Sequence, residues 1–261
     1  MNSNPECVLS AYEFDLVAGS LGMRRAPYPL RVPSIGATME ERAELTGEVY
    51  RKLAARDLVS GDRLDDELEG LLRLLGDHEF SVDVVGVADG PLRALAAVNG
   101  RAGVLAVLAD DQVRLQGFRP RALASVAVGV LAPADPGRGR GFTVRKESLE
   151  KVANDDDDFG DDPFGGDLDD RTALLRTGMS AEDVDALLEL ATNRRAGGQI
   201  GVSRGATRAA TLVTWFDTHQ GRYLMVNQGE WLSIMPADHS RIEQRVADVL
   251  STMDFEDLLG R

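Results

Sequence analysis

The chain has a single cysteine, three histidines and few aromatic residues, and it contains no long hydrophobic run. One cysteine, Cys7, excludes an internal disulfide and a cysteine-rich metal site, as is typical of proteins from the reducing cytosol. No apolar segment approaches the roughly 20 residues that a membrane-spanning helix needs. The first residues include Glu6 and lack the basic and apolar regions of a signal peptide, so we expect a cytoplasmic protein without membrane insertion.

Positive charge is also scarce, because 29 Lys and Arg residues accompany 43 Asp and Glu residues and the net charge is −14. The phosphates of a nucleic acid would be repelled by such a surface, and no basic segment offsets it.

Nine aspartates lie in one run, NDDDDFGDDPFGGDLDD, without which the chain would carry a net charge of −5. This run is too poor in apolar residues to offset its ordering entropy. We therefore predict an acidic flexible linker at residues 154–170.

The chain before residue 80 is rich in helix signals. Ser10 followed by Glu13, and Thr38 followed by Glu41, have the spacing of a capping box. Apolar residues recur at steps of three and four after the second box, and another such stripe extends from Leu64 to Leu75. These patterns predict a short helix followed by a helical hairpin.

Strands follow from residue 80 onward. Phe80–Val84 alternates between apolar and other residues, and turn sequences at 89–91 and 99–100 separate further apolar stretches. A helical pattern then runs to Leu131, and Phe142–Val144 is again extended. An antiparallel sheet is the simplest interpretation.

The region after the acidic run repeats this order. Ser180 is expected to cap a helix that ends at Gly197-Gly198, and strands are expected from residue 200 to 235. Asp238 is expected to cap a helix that continues to Leu250. The segment GVLAVLADDQVRL at 103–115 matches RYLMVNQGEWLSI at 222–234 in hydrophobic rhythm, with Pro120 and Pro236 just before the closing helices. We predict a degenerate duplication in which each half supplies about four strands and a helix.

The duplication defines the domain organisation. We expect a single domain over residues 1–261 in which residues 1–153 form the first half and residues 171–261 form the second. The acidic linker at 154–170 joins the two halves.

No candidate for chemistry satisfies the requirements of a known site. The acidic run fails the EF-hand pattern, because a frame starting at Asp155 puts Phe159 at a ligand position and Gly166 in place of the bidentate Glu. The glycine-rich PGRGRG at 136–141 matches neither phosphate-binding pattern, and we expect a flexible basic loop. We therefore predict no metal and no cofactor.

The histidines do not indicate catalysis. Asp217 and His219 are close in sequence, but no G-x-S-x-G motif supplies a nucleophile. His78, His219 and His239 all lie in polar contexts and are expected at the surface, without the spacing of a zinc site. We expect Arg222 to pair with Asp217 across a turn, in a structural role, and we predict no catalytic residue.

Four stretches carry a resemblance to a known family. They are L-S-A-Y-E-F from Leu9, P-x-x-L-R-V-P-S-x-G-x-T-x-x-E-R at 27–42, G-Q-I-G-V from Gly198, and W-F-D-T-x-x-G-R-Y at 215–223. In this order they resemble the EspG family, the type VII (ESX) secretion-associated proteins of actinobacteria. The resemblance covers nearly the whole chain, and none of its motifs is catalytic.

The resemblance implies a quasi-two-fold α/β (α+β) fold with a central antiparallel sheet flanked by helical bundles. It also implies a non-enzymatic cytosolic chaperone that binds the apolar helical tip of PE–PPE secretion substrates. Helix-in-groove recognition would be the physical basis. The client could instead be a WxG-type helical hairpin. Our hypothesis is that Trp231, Leu232 and Leu187 contribute to the client groove.

Two other classes of function remain open. The sheet could form the base of a pocket for a small molecule or a hydrolytic site, which an enclosed cavity with convergent polar groups would favour. A structural subunit is the third alternative, and a large apolar interface between copies would favour it.

Overall fold

The computed structural model describes residues 6–147, 171–176 and 178–259. These ranges include strands and helices from both halves of the predicted duplication. The predicted acidic linker at 154–170 lies outside the described residues.

The two halves of the chain share a plan of one strand, a set of helices, a set of antiparallel strands and a closing helix. The first half contains β1 (Glu6–Ser10), α1 (Ala11–Ser20), α2 (Met39–Ala54), β2 (Val59–Ser60), β3 (Arg63–Leu64), α3 (Asp66–Gly76), β4 (Phe80–Val87), β5 (Pro91–Val98), β6 (Gly103–Ala109), β7 (Gln112–Phe118) and α4 (Leu123–Val128). The second half contains β8 (Phe142–Arg145), α5 (Arg171–Arg176), α6 (Ala181–Thr192), β9 (Ala196–Arg204), β10 (Thr207–Arg208), β11 (Val213–Thr218), β12 (Gly221–Gln228), β13 (Trp231–Pro236), α7 (His239–Ser251) and α8 (Phe255–Leu259).

One antiparallel sheet joins the two halves. Its strand order is β1-β7-β6-β5-β4-β9-β11-β12-β13-β8, with β10 paired to β9, while β2 and β3 form a separate hairpin. The two central strands pair antiparallel from Phe80 opposite Arg204 to Val87 opposite Gly197. Each half contributes a four-stranded meander that begins at one of these central strands and is followed by a closing helix. The predicted quasi-two-fold α/β (α+β) fold is confirmed.

The two faces of the sheet are covered differently. On one face, alternate residues such as Ala96 and Leu224 pack against α4, α7 and α8 in a single core. We call this the α4/α7 face. On the opposite face, Leu95 packs with α1–α3, whereas Met225 packs with α5 and α6. Two separate helical bundles therefore cover the outer strands of that face.

The predicted helix starts are present. Ser10 accepts a hydrogen bond from the Glu13 amide, and the Glu13 carboxylate accepts one from the Ser10 amide, which completes a capping box before α1. Thr38 caps α2 by accepting from the Glu41 amide. Ser180 and Asp238 cap α6 and α7 in the same way.

Three predictions about elements are wrong. The helical hairpin is interrupted by the β2–β3 hairpin, and α2 packs against α1. Gly197 and Gly198 do not end a helix, since α6 stops at Thr192 and both glycines lie inside β9. The strand Phe142–Arg145, assigned by sequence to the first half, pairs with β13 and completes the second half of the sheet.

Candidate functional site

The three residues proposed for the client groove lie in different environments. Leu187 is 0% exposed and Leu232 is 4% exposed, and both belong to the core between α5, α6 and the outer strands. The chain buries them itself, so they present almost no surface to a partner. Trp231 is 42% exposed.

Trp231 lies on the α4/α7 face, because its neighbours Leu232 and Ile234 point into the core on the opposite face. The strand β8 runs beside it, and the guanidinium of Arg145 lies 4.8 Å from the centre of the Trp231 ring. An exposed tryptophan beside an arginine is a candidate contact surface. It is a small patch at one edge of the sheet.

No catalytic arrangement surrounds the described histidines. Asp217 faces Arg222, and His219 is exposed in the β11–β12 turn. His78 and His239 are half-buried rather than at the surface, which corrects the prediction for these two residues. The Nδ1 of His78 lies 3.1 Å from the carbonyl oxygen of Leu75, and burial is the main reason that the pKa of His78 is lowered.

A groove crosses the middle of the face that carries the two helical bundles. The strands β4 and β9 occupy the centre of the sheet, and no described helix covers them on this side. Their residues on this side belong to none of the hydrophobic cores on either face; they are Ser81, Asp83, Val85, Val87, Gln199, Gly201 and Ser203. We call the space above these residues the central groove.

The width of the central groove suits an α-helix. It extends from β5 to β11, which are separated by three strand spacings, or about 14 Å. An α-helix with its side chains is about 10–12 Å across. One helix can therefore lie between the two bundles where β4 is accessible, at Val85 and Val87, whereas Ser81 and Asp83 are only 6% and 4% exposed.

One end of the central groove is filled by an ion pair. The guanidinium of Arg208 on β10 donates to both carboxylate oxygens of Asp83, at 2.5 and 3.0 Å. This hydrogen bonding raises the pKa of Arg208. The guanidinium lies against Gly201, where an added Cβ atom would be 1.9 Å from its Nη2, and its carbon atom lies 5.8 Å from the centre of the Tyr28 ring. A glycine in the middle of β9 is thus required for this pair.

The other end of the central groove is open. A cavity of about 410 Å³ is lined by apolar and polar side chains of β4, β9 and β11, including Val85, Val87 and Thr214. Val87 is 60% exposed. Arg194 and Arg195, which follow α6, also line the cavity, and no carboxylate lines it among the residues that the structure describes. In a chain of charge −14, this end combines apolar contact area with local positive charge.

Two of the four resembling stretches have clear structural roles. In the stretch at 27–42, Arg42 binds the Asp15 carboxylate at 2.6 Å and the Ile35 carbonyl oxygen at 2.6 Å, which fixes the loop between α1 and α2. In the stretch at 215–223, Arg222 pairs with Asp217 as predicted, at 2.7 and 2.8 Å. These stretches hold the scaffold on both sides of the groove.

The alternation of residues on the two central strands is a sequence signal for the groove. A strand that is covered on both faces is apolar at successive positions, whereas a strand of an antiparallel sheet with one uncovered face alternates. Phe80–Val84 alternates with Ser81 and Asp83, and the opposite strand carries glycine and polar residues at the matching positions. Polar alternation on central strands therefore marks a sheet face that no helix of the described chain covers.

The described residues provide neither a metal-binding cluster nor a membrane-spanning helix. Within residues 6–147, 171–176 and 178–259, no group of three or more His, Cys, Asp or Glu side chains could hold a metal ion. In the same part of the chain, every helix is too short or too polar to span a membrane.

The comparisons with known proteins agree with this architecture. The model of the EspG family matches residues 10–248. The fold is similar to that of the Mycobacterium tuberculosis type VII secretion system chaperone EspG5, whose structure was solved in complex with the PE25–PPE41 dimer. The TM-score is 0.73 at 17% identity, and the match covers 95% of this chain and 96% of the other. None of the curated proteins matches. Since the family model spans both halves of the duplicated sheet, the chain belongs to the EspG family.

Proposed function

We propose that this protein is a non-enzymatic, cytoplasmic chaperone of type VII secretion that binds the helical tip of a PE–PPE substrate in the central groove. Binding keeps the apolar tip soluble and competent for export. The proposal rests on membership of the EspG family and on a fold shared with a chaperone whose structure contains a PE–PPE dimer. The observation that carries it is the helix-wide groove between the two bundles.

The residues at the open end of the groove suggest how a client helix is recognised. Val85 and Val87 offer apolar contacts for the anchors of an amphipathic helix. Arg195 favours an acidic group beside those anchors, because it is exposed and the described residues of the cavity lining include no carboxylate. The preferred client surface is therefore an apolar helix tip with flanking Asp or Glu residues.

A WxG-type helical hairpin is the second candidate client. It is also a helical secretion substrate, and a groove of this width accommodates a single helix from either class. Flanking charge distinguishes the two candidates, since the groove favours the client whose tip is more acidic.

Co-expression tests the proposed function. The chain is expressed with a PE–PPE pair and with a WxG-type pair, each pair is also expressed without the chain, and the products are separated by size-exclusion chromatography. We expect a stoichiometric complex with the PE–PPE pair, and we expect this pair to be insoluble without the chaperone. A complex with the WxG-type pair alone would identify that pair as the client. The absence of a complex with either pair would contradict the proposal.

A further inference from the structure

The connection between α1 and α2 is long, irregular and fixed by specific contacts. It covers residues 21–38, and irregular connections longer than roughly 12–15 residues are uncommon in compact domains unless they have a function or lack a fixed structure. Arg42 fixes this one by donating to the Asp15 carboxylate and to the carbonyl oxygen of Ile35, while Leu30 is buried in the core beneath it. A long loop that is held in place is a candidate binding element.

Three arginines of this connection, Arg24, Arg25 and Arg31, line one cavity of about 600 Å³. All three are exposed, and none has a hydrogen bond or an ion pair with another residue of the described chain. Asp15 is the one carboxylate among the described lining residues, and Arg42 already pairs with it at 2.6 Å. The cavity therefore carries local positive charge in a chain whose net charge is −14. We call residues 24–34 the arginine loop.

Apolar surface lies beside these charges. Tyr28 is 57% exposed, and Val32 and Pro33 line the same cavity. Guanidinium groups bind carboxylates through paired N–H donors, and an exposed aromatic ring offers contact area to an apolar side chain. An isolated anion would leave the apolar part of the cavity in contact with water. The complementary ligand is therefore a peptide segment that carries several carboxylates and an apolar side chain.

The arginine loop adjoins the central groove. The ring centre of Tyr28 lies 5.8 Å from the guanidinium carbon of Arg208, whose pair with Asp83 fills one end of the groove. A polypeptide that leaves the groove past this ion pair meets Tyr28 and then the three arginines. We infer that the arginine loop binds an acidic segment of the client that follows or precedes its groove-bound helix. The identity of this polypeptide rests on the proposed function, whereas the acidic chemistry rests on the loop itself.

The salt dependence of binding follows from the exposure of the three arginines. Interactions between exposed charges weaken as the Debye length falls from about 10 Å at 0.1 M salt to about 3 Å at 1 M. Apolar contacts in the groove do not weaken in this way. We therefore expect the contribution of the arginine loop to disappear at high salt while the helix stays bound.

Calorimetric titration with a PE–PPE pair tests the inference. The loop variant carries Arg24→Gln, Arg25→Gln and Arg31→Gln, and all three positions are exposed, so it should fold. We expect it to bind at least tenfold more weakly than the wild type at about 0.1 M salt and less than threefold more weakly at about 1 M.

A control variant removes the same charge from the opposite side of the first half. It replaces three exposed arginines of β7 and the segment before α4, and its substitutions are Arg114→Gln, Arg119→Gln and Arg121→Gln. We expect less than a twofold change in affinity at either salt concentration. Equal losses in the two variants would overturn the inference, as would a loss in the loop variant that persists at high salt.

A peptide probe separates failure of this inference from failure of the proposed function. If the wild type binds no PE–PPE pair, the proposed function fails, and the anisotropy of a fluorescein-labelled Glu-Glu-Leu-Glu-Glu peptide decides the role of the loop. We expect saturable binding to the wild type and the control variant, at least tenfold weaker binding to the loop variant, and none of Gln-Gln-Leu-Gln-Gln. Peptide binding that does not depend on the loop would overturn the inference. Equal displacement by inorganic phosphate would also overturn it, because the loop would then bind small anions.

Discussion

Arg222 connects four segments of the chain. Its side chain holds Asp217 on the neighbouring strand and the carbonyl oxygen of Ala132 in the loop after α4. Its backbone amide donates to the carbonyl oxygen of Asp135, and its own carbonyl oxygen accepts from the amides of Gly137 and of Ala237, which precedes α7. The glycine-rich loop that sequence analysis expected to be flexible is therefore anchored on a buried arginine.

We predict that Asp217→Asn lowers the free energy of unfolding by about 3 kcal/mol, because it leaves the buried Arg222 guanidinium without its counter-charge. Urea unfolding monitored by circular dichroism measures the change. Asp185→Asn is the matched control, since Asp185 pairs with Arg171 at an exposed site and should leave the unfolding curve unchanged. Equal effects of the two variants would contradict the structural role of Arg222.

His78 is predicted to make stability depend on pH. Burial lowers its pKa below the ordinary value of 6.5, so the unfolded chain binds a proton before the folded protein does. The contribution of neutral His78 to the free energy of unfolding is fully present above pH 6.5 and is lost as the pH falls toward the folded-state pKa. Unfolding free energies of the wild type and His78→Asn, measured from pH 7.5 downward, should converge as the pH falls. A constant difference across this range would refute the prediction.

At the scale of elements, local signals predicted most helices and strands. The caps at Ser10, Thr38, Ser180 and Asp238 were recognisable because each side chain acts within three residues of sequence. The partner of β8 was not predictable, since its pairing with β13 joins segments about 90 residues apart. The dipeptide Gly197-Gly198 predicts a helix stop, because glycines lie inside a strand mainly where another backbone approaches closely, and that approach is not visible in the sequence.

The central strand pair depends on this close approach. A Cβ atom on Gly198 would lie 2.2 Å from the carbonyl oxygen of Val85 and 2.7 Å from the Cα of Gly86. We predict that Gly198→Ala destabilises the protein by about 3 kcal/mol, since backbone atoms of the central strands cannot move aside. Thermal and urea unfolding provide the measurement.

Gly70→Ala serves as the control for this substitution. Gly70 lies in α3 with no atom within 4 Å of an added Cβ, and alanine there should stabilise the helix by about 0.5–1 kcal/mol. We therefore expect Gly198→Ala to lower the free energy of unfolding and Gly70→Ala to raise it, although both substitutions replace glycine with alanine. If Gly198→Ala is neutral, the strands β4 and β9 do not pack this closely.

At the scale of the whole molecule, the duplication and the resemblance predicted the architecture, but the proposed binding residues did not follow from it. Leu187 and Leu232 carry strong apolar signals because they form the core beneath the second bundle. The central groove arises where the two bundles fail to meet across the pseudo-two-fold centre. Its position depends on the packing of both halves, which no local pattern encodes.

The central claim is that the client helix lies in this groove, and the most direct test is the affinity of a PE–PPE pair for two surface variants. Val87→Asp places a charge among the apolar contacts at the open end of the groove, whereas Trp231→Asp alters the exposed patch on the α4/α7 face. Both positions are exposed, so both variants should fold. Titration calorimetry should show at least tenfold weaker binding for Val87→Asp and less than twofold change for Trp231→Asp. The reverse pattern would place the client on the outer strands and contradict the account.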